Sequence, residues 1–165
     1  MNQLVLLCGK VGCGKTTIAT FLKENHNFIH FSADDFMLKL FGEISDQTLF
    51  KTNLNKCKEL IYDITKNLLS ANCNVVLDFG FWTKNEREYV KNLFKNFNVK
   101  IVYLKLERDE NLKRISNRNS NLKENEYFID EATFDILSSK FEEPKNEDFI
   151  IFKDIKSLEK DLNIL

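Results

Sequence analysis

Residues 9–16, Gly9-Lys10-Val11-Gly12-Cys13-Gly14-Lys15-Thr16, decide how the rest of the chain is read. They fit G-x-x-x-x-G-K-[ST], a loop that wraps a phosphate. The spacing follows from the chemistry. Gly9, Gly12 and Gly14 let the backbone turn tightly and aim its N–H groups inward. Those donors meet a phosphate at the start of a helix, where the dipole favours an anion. Lys15 can then reach the β- and γ-phosphates, and the Thr16 hydroxyl can hold Mg²⁺. The flanks suit this reading. Leu4-Val5-Leu6-Leu7 is a buried-strand run, and Thr16 to Lys23 reads as a helix with Ile18, Phe21 and Leu22 apolar. A chance match in a glycine-rich turn would lack both flanks.

Outward from the loop, strands and helices alternate. The expected strands are residues 3–8, 27–31, 73–78, 99–106 and 149–152, each a short apolar run. Ser32-Ala33-Asp34-Asp35 can cap a short helix ending at Gly42, and Ser45 or Asp46 starts a longer one. The apolar positions of that longer helix are Leu49, Leu54, Cys57, Leu60, Ile61, Ile64 and Leu68. Thr83-Lys84-Asn85-Glu86 is a capping box for a helix to about Asn96. Further helices are expected at 108–119, 132–141 and 157–162, with a polar loop over 119–130. Alternation of this kind gives a parallel sheet covered on both faces. The expected fold is α/β, a three-layer αβα sandwich with five parallel strands and a small lid at about 112–131. The whole span 1–165 reads as one domain.

Composition narrows the function classes. A net charge of -1 over 165 residues gives no broad basic footprint for nucleic acid. The apolar runs are too short to cross a bilayer. A strand that begins at once argues against a signal peptide. The four cysteines form no C-x-x-C pair, which fits a reducing cytoplasm better than a disulfide framework or a zinc site. His26 and His30 read as ordinary partly buried histidines rather than ligands. Cys13 stands apart: inside a phosphate-binding turn and two residues from Lys15, it is expected to favour the thiolate. The alternative is a small packing residue.

Ligands in such folds sit beyond the carboxyl ends of the strands, so chemistry is sought just after each one. Asp34-Asp35 follows the second strand, where a carboxylate can take a proton from an attacking hydroxyl. Alternatively, both acids only cap the helix. Val75-Val76-Leu77-Asp78 ends the third strand as an apolar run closed by an acid, suited to a magnesium ion or its waters. Arg108, Lys113, Arg114 and Arg118 lie on or around the helix after the fourth strand. Arg114 and Arg118, four apart, share a face and suit bidentate phosphate contact; a solvated basic helix is the alternative. Phe79, Phe81 and Trp82 either line an acceptor pocket or seat the next helix on the sheet.

These segments together resemble small bacterial P-loop proteins labelled AAA-family ATPases. The motifs are similar to those of the kinase group that holds polynucleotide kinase, zeta toxin and chloramphenicol phosphotransferase. The resemblance covers nearly the whole chain. It is carried by Gly9 to Thr17, Phe31-Ser-Ala-Asp-Asp-Phe36, Val75-Val-Leu-Asp-Phe-Gly-Phe-Trp82 with Glu86-Arg87, Arg114 to Asn119, and Phe141-Glu-Glu-Pro144 with Glu147. It implies an ATP-dependent phosphotransferase. Gly9, Gly12, Cys13, Gly14, Lys15, Thr16 and Thr17 would contact ATP, and Thr16 and Asp78 would serve Mg²⁺. Asp34 takes the base position, and Arg118 or Arg114 the lid arginine. The chain departs from the group in lacking an arginine shortly after the aspartate pair, where Phe36, Met37 and Leu38 stand. That departure weakens a nucleic-acid acceptor. A kinase of a small hydroxylated molecule is the leading expectation. The alternatives are a nucleotide-hydrolysing module that acts through a partner, and a polynucleotide 5′-hydroxyl kinase.

Overall fold

The computed structural model describes residues 2–122 and 128–164. Five strands form one sheet, all parallel, in the order β2-β3-β1-β4-β5. They are β1 (Gln3–Cys8), β2 (Phe28–Ser32), β3 (Asn74–Gly80), β4 (Asn98–Tyr103) and β5 (Ile150–Ile151). The helices are α1 (Lys15–His26), α2 (Ala33–Phe41), α3 (Gln47–Ser70), α4 (Lys84–Leu93), α5 (Arg108–Asn119), α6 (Glu131–Ser139) and α7 (Ile155–Leu162).

The alternation of β1 shows how the layers are built. Leu4, Leu6 and Cys8 point to one face of the sheet, against Ile61, Tyr62 and Leu69 of α3 and Val90 of α4. Val5 and Leu7 point to the other, against Ile18, Ala19 and Leu22 of α1 and Leu158 and Leu162 of α7. Every side chain from Leu4 to Cys8 is fully buried. A strand covered on both faces has no polar side to show, which is why this one reads as a continuous apolar run. Burying each such side chain stabilises the fold by about 1.5–3 kcal/mol. A third, smaller cluster joins Ile115 of α5 to Ile129 and Phe134, with Val11 of the phosphate loop packed on it. α5 and α6 are thereby tied to the phosphate loop.

Sequence and structure differ where tertiary packing overrides pattern. On α3 the buried set is Asn53, Cys57, Ile61, Tyr62, Thr65 and Leu69, while Leu49 and Leu60 are exposed. Asn53, Tyr62 and Thr65 extend the buried face past the apolar residues, so counting apolar positions alone misplaced it. β3 runs to Gly80 rather than Asp78, and β5 shrinks to two residues. The 119–130 loop expected from sequence lies partly outside the described residues. Among the described residues, no helix is long and apolar enough to cross a membrane.

Candidate active site

The phosphate loop leaves β1 at Gly9, whose N–H donates to the Gly80 carbonyl at 3.1 Å. α1 begins at Lys15 with Gly14 as its N-cap, in left-handed backbone and with no side-chain cap. The first N–H groups of α1 are therefore left for an anion. Gly12 is needed for space as well as conformation. At φ +78°, a Cβ there would lie 2.7 Å from Cγ1 of Ile115, so the loop packs directly on α5. The Lys15 ammonium donates to the carbonyls of Lys10 at 2.7 Å and Gly9 at 3.1 Å. It is folded over its own loop, where phosphate oxygens would compete for it.

Cys13 corrects one expectation. Its side chain is buried with Leu104 and Ile18 in the apolar layer under the loop. Burial pushes the thiol up, against the lowering influence of Lys15. Desolvation wins because the side chain is held inside the core, and Cys13 is a packing residue rather than a poised thiolate. A nucleotide would meet its backbone and not its sulfur.

Beside the loop, the Thr16 hydroxyl donates to Oδ2 of Asp78 at 2.7 Å. Asp78 is buried, at the β3 position paired with Ser32 of β2. His30 lies behind, with Nε2 4.0 Å from the same carboxylate oxygen. Burial holds the His30 imidazole below its ordinary value despite that pull. Two hard oxygen donors side by side at the mouth of a phosphate loop suit magnesium, which is bound through one or two carboxylates together with substrate phosphates. No cluster of three or more His, Cys, Asp or Glu side chains that could hold a metal without a substrate occurs among the described residues.

Ser32 ends β2 and caps α2, its hydroxyl accepting from the Asp35 N–H at 3.3 Å. The capping role therefore belongs to Ser32, and the Asp34 carboxylate makes no hydrogen bond among the described residues. Asp34 opens onto the solvent of the cleft, yet protein surrounds it on the remaining sides. That partial desolvation first, and the Asp78 charge second, hold its carboxyl above the usual range. A carboxylate with a raised affinity for protons, open to the cleft, can act as a general base.

The opposite wall comes from α5. Arg114 reaches the loop, its Nη1 3.5 Å from the Cys13 carbonyl, and pairs with Glu110 at 3.2 Å. Arg118 is half-buried, and both arginines line the cleft. The other two cations of this helix lie elsewhere. Arg108 bridges α5 to α6 through Glu131 at 2.7 Å and Asp135 at 2.8 Å, and Lys113 is exposed away from the cleft lining. One cleft of about 540 Å³ thus gathers Gly12, Gly14, Lys15, Thr16, Thr17, Asp34, Asp78, Arg114 and Arg118. Gly9 lies behind the loop and Cys13 beneath it.

Beyond Asp78 the aromatic stretch divides. Phe79 and Trp82 line the cleft, whereas Phe81 is fully buried. A buried ion pair between Arg87 and Glu147 holds this stretch. Arg87 of α4 is completely buried and forks onto Glu147, with Nε–Oε2 2.8 Å and Nη2–Oε1 2.7 Å. Its Nη1 donates to the carbonyls of Phe81 and Glu142, each at 3.0 Å. An Arg in a charged helix reads as a surface residue, and only the distant Glu147 makes its burial tolerable.

No curated protein matches the chain significantly in sequence. Several solved structures share its fold. A sugar kinase from Janibacter sp. superposes with TM-score 0.69 at 15% identity, over 99% of this chain and 96% of that one. Kti12 from Chaetomium thermophilum, solved in complex with ADP-AlF3, gives TM-score 0.70 at 14% identity, over 98% of each chain. A chain of the Pnkp1/Rnl/Hen1 RNA repair complex gives TM-score 0.67 at 20% identity over 84% of this chain, which spans only 43% of that one. At these identities the likeness establishes the fold, the α/β sandwich of P-loop kinases. The family model described as an AAA domain matches residues 4–144, and with the phosphate loop, Asp78 and the 141–144 segment all inside that span, the chain belongs to this AAA domain family.

Proposed function

We propose that the protein is an ATP-dependent phosphotransferase that moves the γ-phosphate of Mg·ATP to a hydroxyl of a small molecule. The observation that carries this reading is the single cleft in which the phosphate loop, the Thr16–Asp78 pair, Asp34 and two arginines converge. The kinase fold of the solved neighbours supports it.

The loop N–H groups and Lys15 bind and orient the phosphates. Thr16 and Asp78 would hold the magnesium ion, which when bound neutralises charge on the β- and γ-phosphate oxygens. Asp34 accepts the proton of the acceptor hydroxyl as the new O–P bond forms. The bond from the γ-phosphorus to the bridging oxygen breaks and ADP departs with that electron pair. Arg114 and Arg118 meet the charge that spreads over the transferring group. Asp34 follows β2 and the arginines follow β4, on opposite sides of β1.

The test is incubation with γ-labelled ATP and a library of hydroxylated metabolites. Label should move into an organic product. Release of inorganic phosphate alone, whatever acceptor is present, would favour a nucleotide-hydrolysing module.

A further inference from the structure

The topology divides the cleft. Arg114 and Arg118 follow β4, on one side of β1, whereas Ser32, Asp34 and Asp35 follow β2 and Phe79, Gly80 and Trp82 end or follow β3, on the other. Among the described residues, the cations that line the cleft, Lys15, Arg114 and Arg118, belong to the loop and α5. The β2–β3 half carries three acids, Asp34, Asp35 and Asp78, and an aromatic wall.

Trp82 is built into that wall. Its indole edge lies directly over Gly80, where at φ +80° a Cβ would fall 2.3 Å from Nε1 and 2.6 Å from Cδ1. Glycine is what lets the ring sit there. The backbone on either side is fixed as well. The Trp82 N–H donates to Glu86 Oε2 at 3.0 Å, and its carbonyl accepts from the Glu142 N–H at 2.8 Å. Lys58 pairs with the other oxygen of Glu86, and Arg87 holds the preceding carbonyl. Trp82 is partly exposed and lines the cleft, and its Nε1–H has no hydrogen-bond partner among the described residues.

We propose that Trp82 determines acceptor specificity: its indole is the platform for an uncharged alcohol that carries a ring, and its Nε1–H donates to that ring's substituents. This rests on the phosphotransfer reading above. A flat or apolar ring face stacks on an aromatic wall, and Asp34 and Asp35 repel an anion at the same place. Nucleosides and neutral sugars share this chemistry; a polynucleotide end, with its phosphates, does not.

Trp82 is the only tryptophan, so the native protein carries its own probe. With Mg·ADP present, its fluorescence is titrated with a panel of nucleosides, a panel of neutral monosaccharides and a 5′-hydroxyl oligoribonucleotide. A saturable change with one neutral panel and none with the oligonucleotide is expected, and identifies the source. Steady-state kinetics then compare wild type with Trp82→Leu and the more conservative Trp82→Phe, each checked by thermal melt. Trp82→Leu should raise the acceptor KM roughly 5- to 150-fold, the range found when an aromatic stacking partner is removed. The KM for ATP should stay within about twofold, and Trp82→Phe should lose less. No response to either neutral panel, a response to the oligonucleotide alone, or an unchanged acceptor KM in both variants overturns the proposal. A fluorescence change without transfer would remove the kinase reading and keep the platform. Transfer with an unchanged acceptor KM would do the reverse.

Discussion

Replacing Arg87 by Met should be among the most damaging single changes in this chain. The Arg87 side chain is 0% exposed and that of Glu147 7%, so the pair lies out of water. The variant strands the Glu147 carboxylate and removes a donor from the Phe81 and Glu142 carbonyls. Breaking a buried pair from one side costs about 3–5 kcal/mol. For a chain of this length each kcal/mol shifts Tm by roughly 2–4 °C, so the melt should fall by about 6–20 °C. The double variant Arg87→Met/Glu147→Leu should recover most of the loss, because no charge is then left unpaired. The pair also sets a pH dependence. Hydrogen bonds from Arg87 hold the Glu147 carboxyl below its ordinary value of 4.5. The unfolded chain then binds the proton more readily, and stability rises with pH. The contribution is complete above about 4.5 and is lost as pH falls through the depressed folded value. Wild type should therefore lose stability more steeply below that pH than the double variant. Thermal melts at neutral and acid pH read all three chains. An Arg87→Met melt within about 2 °C of wild type, or a double variant as weak as the single one, would mean that the buried Arg87–Glu147 pair does not hold this part of the fold.

Three further outcomes follow from the site. Lys15→Ala should lower turnover on the order of 10²–10³ while its melt stays at the wild-type value, since among the described residues the ammonium bonds only to its own loop; retained turnover would take the loop lysine out of the mechanism. Arg114→Ala and Arg118→Ala should lower kcat more than ATP affinity, because the charge they meet is greatest in the transition state; equal losses measured by kinetics and ATP titration would mean ground-state binding only. In alkylation mapped by peptide mass, Cys73 should react first, since Cys8, Cys13 and Cys57 are buried and burial pushes the Cys8 thiol up to about 12; earlier labelling of Cys13 would restore the thiolate reading.

The layers and the phosphate loop were legible because they follow from local rules. Glycines at fixed spacing, apolar runs before helices, and the start of α5 at Arg108 need no knowledge of distant residues. What escaped depended on partners far along the chain. Asn53, Tyr62 and Thr65 are buried by what packs on α3, and no helical period marks them. Arg87 meets Glu147 across sixty residues. The environment of Cys13 turned on a contest that sequence cannot weigh. Proximity to Lys15 argued for a thiolate, and burial under the loop argued against it and won. In the site, sequence marked Asp34, Asp78, Arg114 and Arg118 because they lie at or after strand ends, and the cleft gathers them. It could not divide Phe79, Phe81 and Trp82, because which ring faces the cleft is set by the positive φ of Gly80 and Phe81.

The most direct test of the account is the fate of the labelled γ-phosphate in wild type and in Asp34→Asn, followed in a single turnover with a bound acceptor. Wild type should move the label to the acceptor hydroxyl. Asp34→Asn should bind Mg·ATP as before and transfer about 10²–10⁴ times more slowly, the share that a positioned general base supplies. Label that appears only as inorganic phosphate in wild type, or transfer by Asp34→Asn at the wild-type rate, would contradict it.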